Sequence, residues 1–256
     1  MGSNRKPIVV KIGGSTLGSH DTTIEDLVAL QKEGKALVVV HGGGNVITEW
    51  LAKQGVPTKF EKGLRVTDEQ TLQVVVAVLC GLVNKELVAA IQSRGGRAVG
   101  LSGIDGGLIE SRVMDEKLGY VGDIVKVNPE PVKALLKEGY MPVIAPLGLE
   151  AKGEKLNINA DTAAGEIAAA ISAERLIFLT DVAGVMDKSG KLLPRLSPAE
   201  ASALIAEGVI SGGMIPKVEA CFRALSVVPI TQIVDGRGRH ALIEAIAGKG
   251  GGTTIA

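Results

Sequence analysis

Short, strongly apolar runs alternate with helical stretches along the whole chain, and this alternation restricts the fold more than any other feature of the sequence. Residues 8–12, 36–40, 98–101, 142–145, 175–180 and 230–234 read as strands buried on both faces. Helical patterns fill 24–32, 46–53, 69–92, 131–137, 161–171, 198–206 and 215–225. Repeated βα units predict an α/β fold in which a mainly parallel sheet carries helices on both faces. Such sheets bind ligands at the carboxyl ends of their strands. The 256 residues form one large domain or two joined lobes. A soft boundary falls near Ala173, where the motifs change in kind.

Two polar, glycine-punctuated stretches, 56–66 and 108–127, interrupt the pattern and read as hairpins or lids over a site. Residues 149–156 read as a hydrophilic turn. The 69–92 stretch is almost continuously apolar from Leu72 to Cys80. A helix apolar all round is covered on all sides, so it is either a central core helix or a subunit interface.

Charge and composition remove several functions. Lys plus Arg equals Asp plus Glu at 28 each, so no global field favours nucleic acid or an anionic membrane. Aromatics at 2% do not furnish a base-stacking surface. The longest apolar run, 74–83, is short for a bilayer, and the start of the chain has no signal-peptide pattern. These readings predict a cytoplasmic protein. Cys80 and Cys221 lie far apart without a CxxC, which fits two buried, reduced thiols better than a lone disulfide.

The chemistry sits where strands end. Lys11-Ile12-Gly13-Gly14-Ser15 follows the first strand; glycines there let backbone N–H groups approach phosphate, and a lysine neutralises its charge. A plain turn is the ordinary alternative. His41-Gly42-Gly43-Gly44-Asn45 closes the second strand and opens a helix, again suiting backbone contact with a ligand. A histidine before glycines also suits an esterase oxyanion hole, but the Gly-x-Ser-x-Gly elbow is missing. His41 therefore reads as structural. No P-loop and no Gly-x-Gly-x-x-Gly after a strand occurs.

Arg65, in Gly63-Leu64-Arg65-Val66-Thr67-Asp68, suits bidentate capture of a carboxylate, with a solvated surface arginine as the alternative. Thr67 or Asp68 caps the next helix. Asn157, Asn159 and Asp161 alternate and so point to one side at a strand-to-helix junction; Asp161 alone reads as a helix cap. Thr180 to Met186 follows an apolar strand. Gly212-Gly213-Met214-Ile215-Pro216-Lys217 opens a helix with a lysine in its first turn, against the macrodipole, which calls for an anion nearby.

Lys-Ile-Gly-Gly, His-Gly-Gly-Gly, Gly-Leu-Arg-Val-Thr, Leu-Gly-Tyr-Val-Gly-Asp, Asn-Ile-Asn-Ala-Asp and Gly-Gly-Met-Ile-Pro-Lys stand in one order from Lys11 to Ile255. In these motifs the chain resembles the amino acid kinase family. The resemblance implies a three-layer αβα sandwich. It implies an acceptor-binding and dimerisation lobe over about 1–173 and an ATP-binding lobe over about 174–256. It implies phosphorylation of the γ-carboxylate of N-acetyl-L-glutamate by ATP, with Mg2+ held through the ATP phosphates and no protein metal ligand. A carrier-linked or N-acetylated aminoadipate is the alternative acceptor, and a non-catalytic metabolite sensor the remote one.

The same resemblance assigns roles. Lys11 and Lys217 stabilise the transferring phosphoryl group and Asp161 orients them. Gly43, Gly44, Arg65, Asn157 and Asn159 bind the acceptor. Gly13, Gly14, Asp181, Val182, Ala183, Gly184, Val185, Met186, Val209, Ile210 and Ser211 bind ATP. A carboxylate acceptor is already ionised at pH 7, so such a reaction needs no general base. In this family arginine inhibition goes with an extra amino-terminal helix. The seven residues Met1 to Pro7 are too few for one, so the expectation is a homodimer that arginine does not inhibit.

Overall fold

The computed structural model describes residues 6–13, 22–61 and 63–256. Among these, the strands in chain order are β1 (Ile8–Ile12), β2 (Leu37–His41), β3 (Phe60–Glu61), β4 (Leu64–Arg65), β5 (Ala98–Ser102), β6 (Ile109–Val113) and β7 (Val121–Val127). They continue with β8 (Met141–Ala145), β9 (Leu147–Leu149), β10 (Lys155–Ile158), β11 (Arg175–Thr180), β12 (Arg195–Leu196), β13 (Ile230–Asp235) and β14 (Thr253–Ile255). The α-helices are α1 (Thr23–Lys32), α2 (Gly44–Lys53), α3 (Glu69–Val76), α4 (Asn84–Ser93) and α5 (Glu130–Lys137). After them come α6 (Ala160–Ala170), α7 (Pro198–Ala206), α8 (Met214–Leu225) and α9 (Ala241–Ile246).

Eight strands form one sheet in the order β12-β14-β13-β11-β1-β2-β8-β5. Its neighbours run parallel except at β13–β14. Alternation along each strand separates two cores. Ile8, Val10 and Ile12 face a layer built from α1 to α4 and α9. Val9 faces the opposite layer, where α6 and α8 supply Ala163, Ala164, Val218 and Cys221. This is the expected three-layer arrangement. The sheet passes without a break from β1 to β11, so the strands before and after Ala173 meet along that single seam.

Several expectations need correction. The 108–127 stretch is not a free hairpin: β6 and β7 close with β9 and β10 into a small four-stranded barrel. Residues 149–156 hold the turn that joins β9 to β10. Only the 56–66 stretch is a small separate hairpin, β3–β4. The 69–92 stretch is continuous but not uniformly α-helical, because Ala77–Val83 forms π-helical turns between α3 and α4. As a whole this 25-residue helix is long and apolar enough to cross a bilayer, which the 74–83 run alone did not suggest. Here Val74, Val75, Val78, Leu79, Val83, Leu87 and Ile91 pack into the core. Val76, Cys80 and Leu82 are partly covered and Ala77, Gly81 and Ala89 are exposed. The two cysteines are free, as expected, but only Cys221 is buried; Cys80 is partly exposed.

The α6 and α8 helices touch closely. A Cβ on Gly165 would lie 2.7 Å from the Ala220 carbonyl oxygen, so this position tolerates no side chain. The contact brings the amino ends of the two helices side by side, and each end carries one charged residue of the site.

Candidate functional site

Lys11 leaves β1 toward the α6–α8 layer and meets Asp161 in the first turn of α6. Its Nζ lies 2.8 Å from Asp161 Oδ1, and Lys217 Nζ, from the first turns of α8, lies 2.9 Å from Oδ2. One carboxylate therefore separates two ammonium groups. The Lys11 contact is an ion pair more than a well-directed hydrogen bond. Lys217 also donates to the Gly213 carbonyl at 3.3 Å. Burial would push the Asp161 carboxyl up, but the two lysine charges and their hydrogen bonds outweigh it and hold it below the usual carboxylate range. Asp161 is an anion here, which also answers the misplaced charge of a lysine at a helix amino end. It is not the cap of α6. Asn159 is, accepting from the Asp161 and Thr162 N–H groups at 2.9 and 3.0 Å.

Two compartments open from this triad. The first is lined by Lys11, Gly42, Gly43, Gly44, Arg65, Asn157, Asn159 and Asp161, with Ile47, Leu79, Val121, Pro146 and Ile158 as an apolar wall. The second is lined by Lys11, Gly13, Gly44, Asn45, Leu179, Thr180, Asp181 and Lys217. They share Lys11 and Gly44. The α2 helix starts between them at Gly44 with no side-chain cap, so its first N–H groups point into the cleft.

Arg65 is buried, yet its partners among the described residues are all neutral oxygens: Gly44 O and Thr48 Oγ1 at 2.9 Å and Thr58 Oγ1 at 3.4 Å. Phe60 lies under its guanidinium, 4.8 Å from ring centre to Cζ. Burial lowers the Arg65 pKa from its ordinary value, and an anion placed against it would relieve that penalty. Asn157 lines the same compartment, and its Nδ2 donates to Thr67 Oγ1 at 3.1 Å. Asp68, rather than Thr67, caps α3.

The remaining expected nucleotide residues divide. Gly13 and Asp181 line the second compartment. Gly14 lies outside the described residues. Val182, Ala183 and Met186 are at least partly exposed beyond Asp181, as are Val209 and Ser211, and none of the five lines that compartment. Val185 and Ile210 turn their side chains into the core, and the Val185 N–H already bonds Thr253 Oγ1 at 2.8 Å. Gly184, at φ 134°, packs against the same threonine. A nucleotide contact at these three positions is therefore a backbone matter. Asn45, Thr180 and the apolar wall of Leu79, Val121 and Pro146 were not singled out as site residues from the sequence. Each belongs to an element whose role was clear only once its neighbours were in place.

An open, mainly parallel α/β sheet with its cleft at the strand carboxyl ends defines the class of protein. The chain belongs to the amino acid kinase family, whose pattern matches residues 6–231. It is similar to an acetylglutamate kinase of Gloeobacter violaceus, 47% identical over 98% of this chain and 87% of the relative. An acetylglutamate kinase of Dehalococcoides mccartyi is 43% identical over 99% of this chain and 95% of its own length. Among solved structures, N-acetylglutamate synthase from Neisseria gonorrhoeae, in complex with coenzyme A and N-acetyl-glutamate, superposes with a TM-score of 0.86 at 27% identity. That match covers 98% of this chain and 59% of the synthase.

Proposed function

We infer that this chain transfers the γ-phosphoryl group of ATP to the γ-carboxylate of N-acetyl-L-glutamate, giving N-acetyl-L-glutamyl 5-phosphate for arginine biosynthesis. The observation that carries the reading is the junction of the two compartments at Lys11 and Gly44, beside the Lys11–Asp161–Lys217 triad. The nearly full-length similarity to acetylglutamate kinases selects the acceptor.

In this reading the acceptor lies in the Arg65 compartment. Arg65 pairs with its α-carboxylate, Asn157 and Asn159 hold neighbouring polar atoms, and the Gly43–Gly44 backbone meets the reacting end. The ATP phosphates lie in the second compartment, against Gly13, Asp181 and Lys217. Lys11 and Lys217 then flank the phosphoryl group in transit. Asp161 holds both ammoniums in position without taking a proton, since it is already charged. Mg2+ bound to the ATP phosphates would supply further charge neutralisation. Catalysis consists of alignment and preorganised positive charge. The acceptor and dimerisation surface would belong to about residues 1–173 and the nucleotide to about 174–256. The partly exposed apolar face of the 69–93 helix suits pairing with a second copy across a two-fold axis, and the reaction belongs in the cytoplasm.

ADP release with Mg-ATP tests the assignment across N-acetyl-L-glutamate, glutamate, aspartate, N-acetylated aminoadipate and UMP. The highest kcat/KM is expected for N-acetyl-L-glutamate. A higher value for any other acceptor would overturn the assignment.

A further inference from the structure

Asn84 is 1% exposed and stands where the π-helical turns give way to α4. Its Nδ2 donates to the Val143 carbonyl at 2.8 Å and reaches His41 Nε2 at 3.2 Å and the Leu101 carbonyl at 3.4 Å. Its Oδ1 accepts from Lys85 Nζ at 3.0 Å. One side chain thus ties the helix to β2, β5 and β8. His41 continues the chain of contacts, because its Nδ1 lies 2.9 Å from the Gly42 carbonyl oxygen. That oxygen only accepts, so Nδ1 carries the proton and Nε2 receives the bond from Asn84. Burial, with the charges of Lys11 and Lys85 adding to it, lowers the imidazole pKa to about 4 and keeps this neutral form at working pH.

A second set of contacts reaches the same loop. A Cβ on Gly43 would lie 2.7 Å from Leu79 Cδ2 and 3.5 Å from Val83 Cγ2, both in the π-helical stretch. The wider π turns rotate everything after them relative to an unbroken α-helix. The result is that Leu79 and Val83 lie under Gly43 while Asn84 meets His41. The glycine loop at the junction of the two compartments is therefore held from below by packing and from its strand side by hydrogen bonds.

We propose that Asn84 is a positioning residue for the acceptor: acting through His41, and aided by the π-helical turns, it sets the Gly42–Gly44 backbone against which the acceptor's reacting end is held. This rests on the acceptor site assigned above. The phosphate compartment shares only Lys11 and Gly44 with the acceptor compartment and is otherwise lined by Gly13, Asn45, Leu179, Thr180, Asp181 and Lys217, so loosening Asn84 disturbs acceptor binding and alignment far more than ATP binding.

The test compares Asn84→Leu, which keeps the volume and removes the donors, with wild type under steady-state conditions. The acceptor is the one with the highest wild-type kcat/KM; an acceptor other than N-acetyl-L-glutamate would overturn the functional reading while leaving this comparison intact. Acceptor kcat/KM should fall about five- to fiftyfold, with the KM for ATP within about twofold of wild type. Asn84→Leu combined with His41→Leu should be no worse than the more damaging single change, since the two act in series. Lys85→Met gives the same readout at an exposed position if Asn84→Leu does not fold, with acceptor KM raised about two- to threefold. An unmoved acceptor KM and kcat, an equal loss for both substrates, or additive effects of the two leucine substitutions would overturn the proposal.

Discussion

Gly165 of α6 and Ala220 of α8 meet so closely that a Cβ on the glycine would come within 2.7 Å of the Ala220 carbonyl oxygen. This contact lies about one turn past Asp161 in α6 and about one turn past Lys217 in α8, and it brings that carboxylate and ammonium to 2.9 Å. Gly165→Ala should force the helices apart, costing about 1–3 kcal/mol of stability, the scale of overpacking a tight interface. Differential scanning calorimetry would read a fall of several degrees, and kcat would drop in the folded fraction. A variant with wild-type melting and kcat would remove this contact from the account.

Lys217→Ala should lower kcat by about 10²- to 10³-fold, the loss associated with one preorganised charge donor at a developing anion. The KM for ATP should change far less. If KM alone rose while kcat held, Lys217 would act in ground-state binding only. Asp161→Asn should be worse than either lysine change for folding, because the buried Lys11 ammonium and the partly buried Lys217 ammonium would then face each other unneutralised.

Arg65→Ala should raise the acceptor KM by about 10- to 100-fold, the range for losing a charged hydrogen-bonded pair, while ATP affinity holds. Arg65→Lys should recover little, since an ammonium cannot bridge Gly44, Thr48 and Thr58 while also facing a carboxylate. Substrate-dependence curves for both ligands check the split; equal weakening would count against the assigned place of Arg65.

His41 gives a pH signature of its own. Its folded pKa, about 4, lies below the ordinary 6.5, so the unfolded chain binds more protons between these values. Stability from keeping this imidazole neutral is complete above pH 6.5 and is lost progressively as pH falls toward 4. His41→Gln should therefore flatten the decline in melting temperature between pH 7 and 5, whatever its melting temperature at pH 7. A parallel decline in both proteins would show that other groups set the slope.

The strands that carry the site were legible because each is a short apolar run, buried on both faces, that ends in glycine or a polar triplet. Lys11 stands at the first of those ends, while the joint roles of Lys11, Asp161 and Lys217 were expected from the family resemblance of their motifs. The π-helical turns were not legible, since Ala77–Val83 is apolar throughout and carries no breaker apart from Gly81. Asn84 passed unnoticed for the same reason: a polar residue late in an apolar helix has no partner in the local sequence, and its partners here come from β2, β5 and β8. The short β12 and β14 strands and α9 were missed as well. The two strands form only by pairing at the sheet edge, and α9 is held by packing Ala241, Leu242 and Ala245 into the core layer that it shares with α1. Asn159 displaced Asp161 as the cap of α6 because two residues compete for the helix end and both lysines need the aspartate.

Exposed apolar residues along the 69–93 helix should be covered in solution by a second copy. Light scattering at several concentrations should give twice the chain mass, and a charge introduced by Ala77→Glu should shift the chain toward monomer. A monomeric wild type would leave the helix as a core element alone.

Transfer of phosphate to a carboxylate makes an acyl phosphate, and acyl phosphates react with hydroxylamine to give hydroxamates. Incubation with Mg-ATP, N-acetyl-L-glutamate and hydroxylamine therefore tests the central claim most directly. The account predicts hydroxamate formed in step with ADP, and both lost in Lys217→Ala. ADP release without hydroxamate, or hydroxamate that does not depend on the acetylated acceptor, would contradict it.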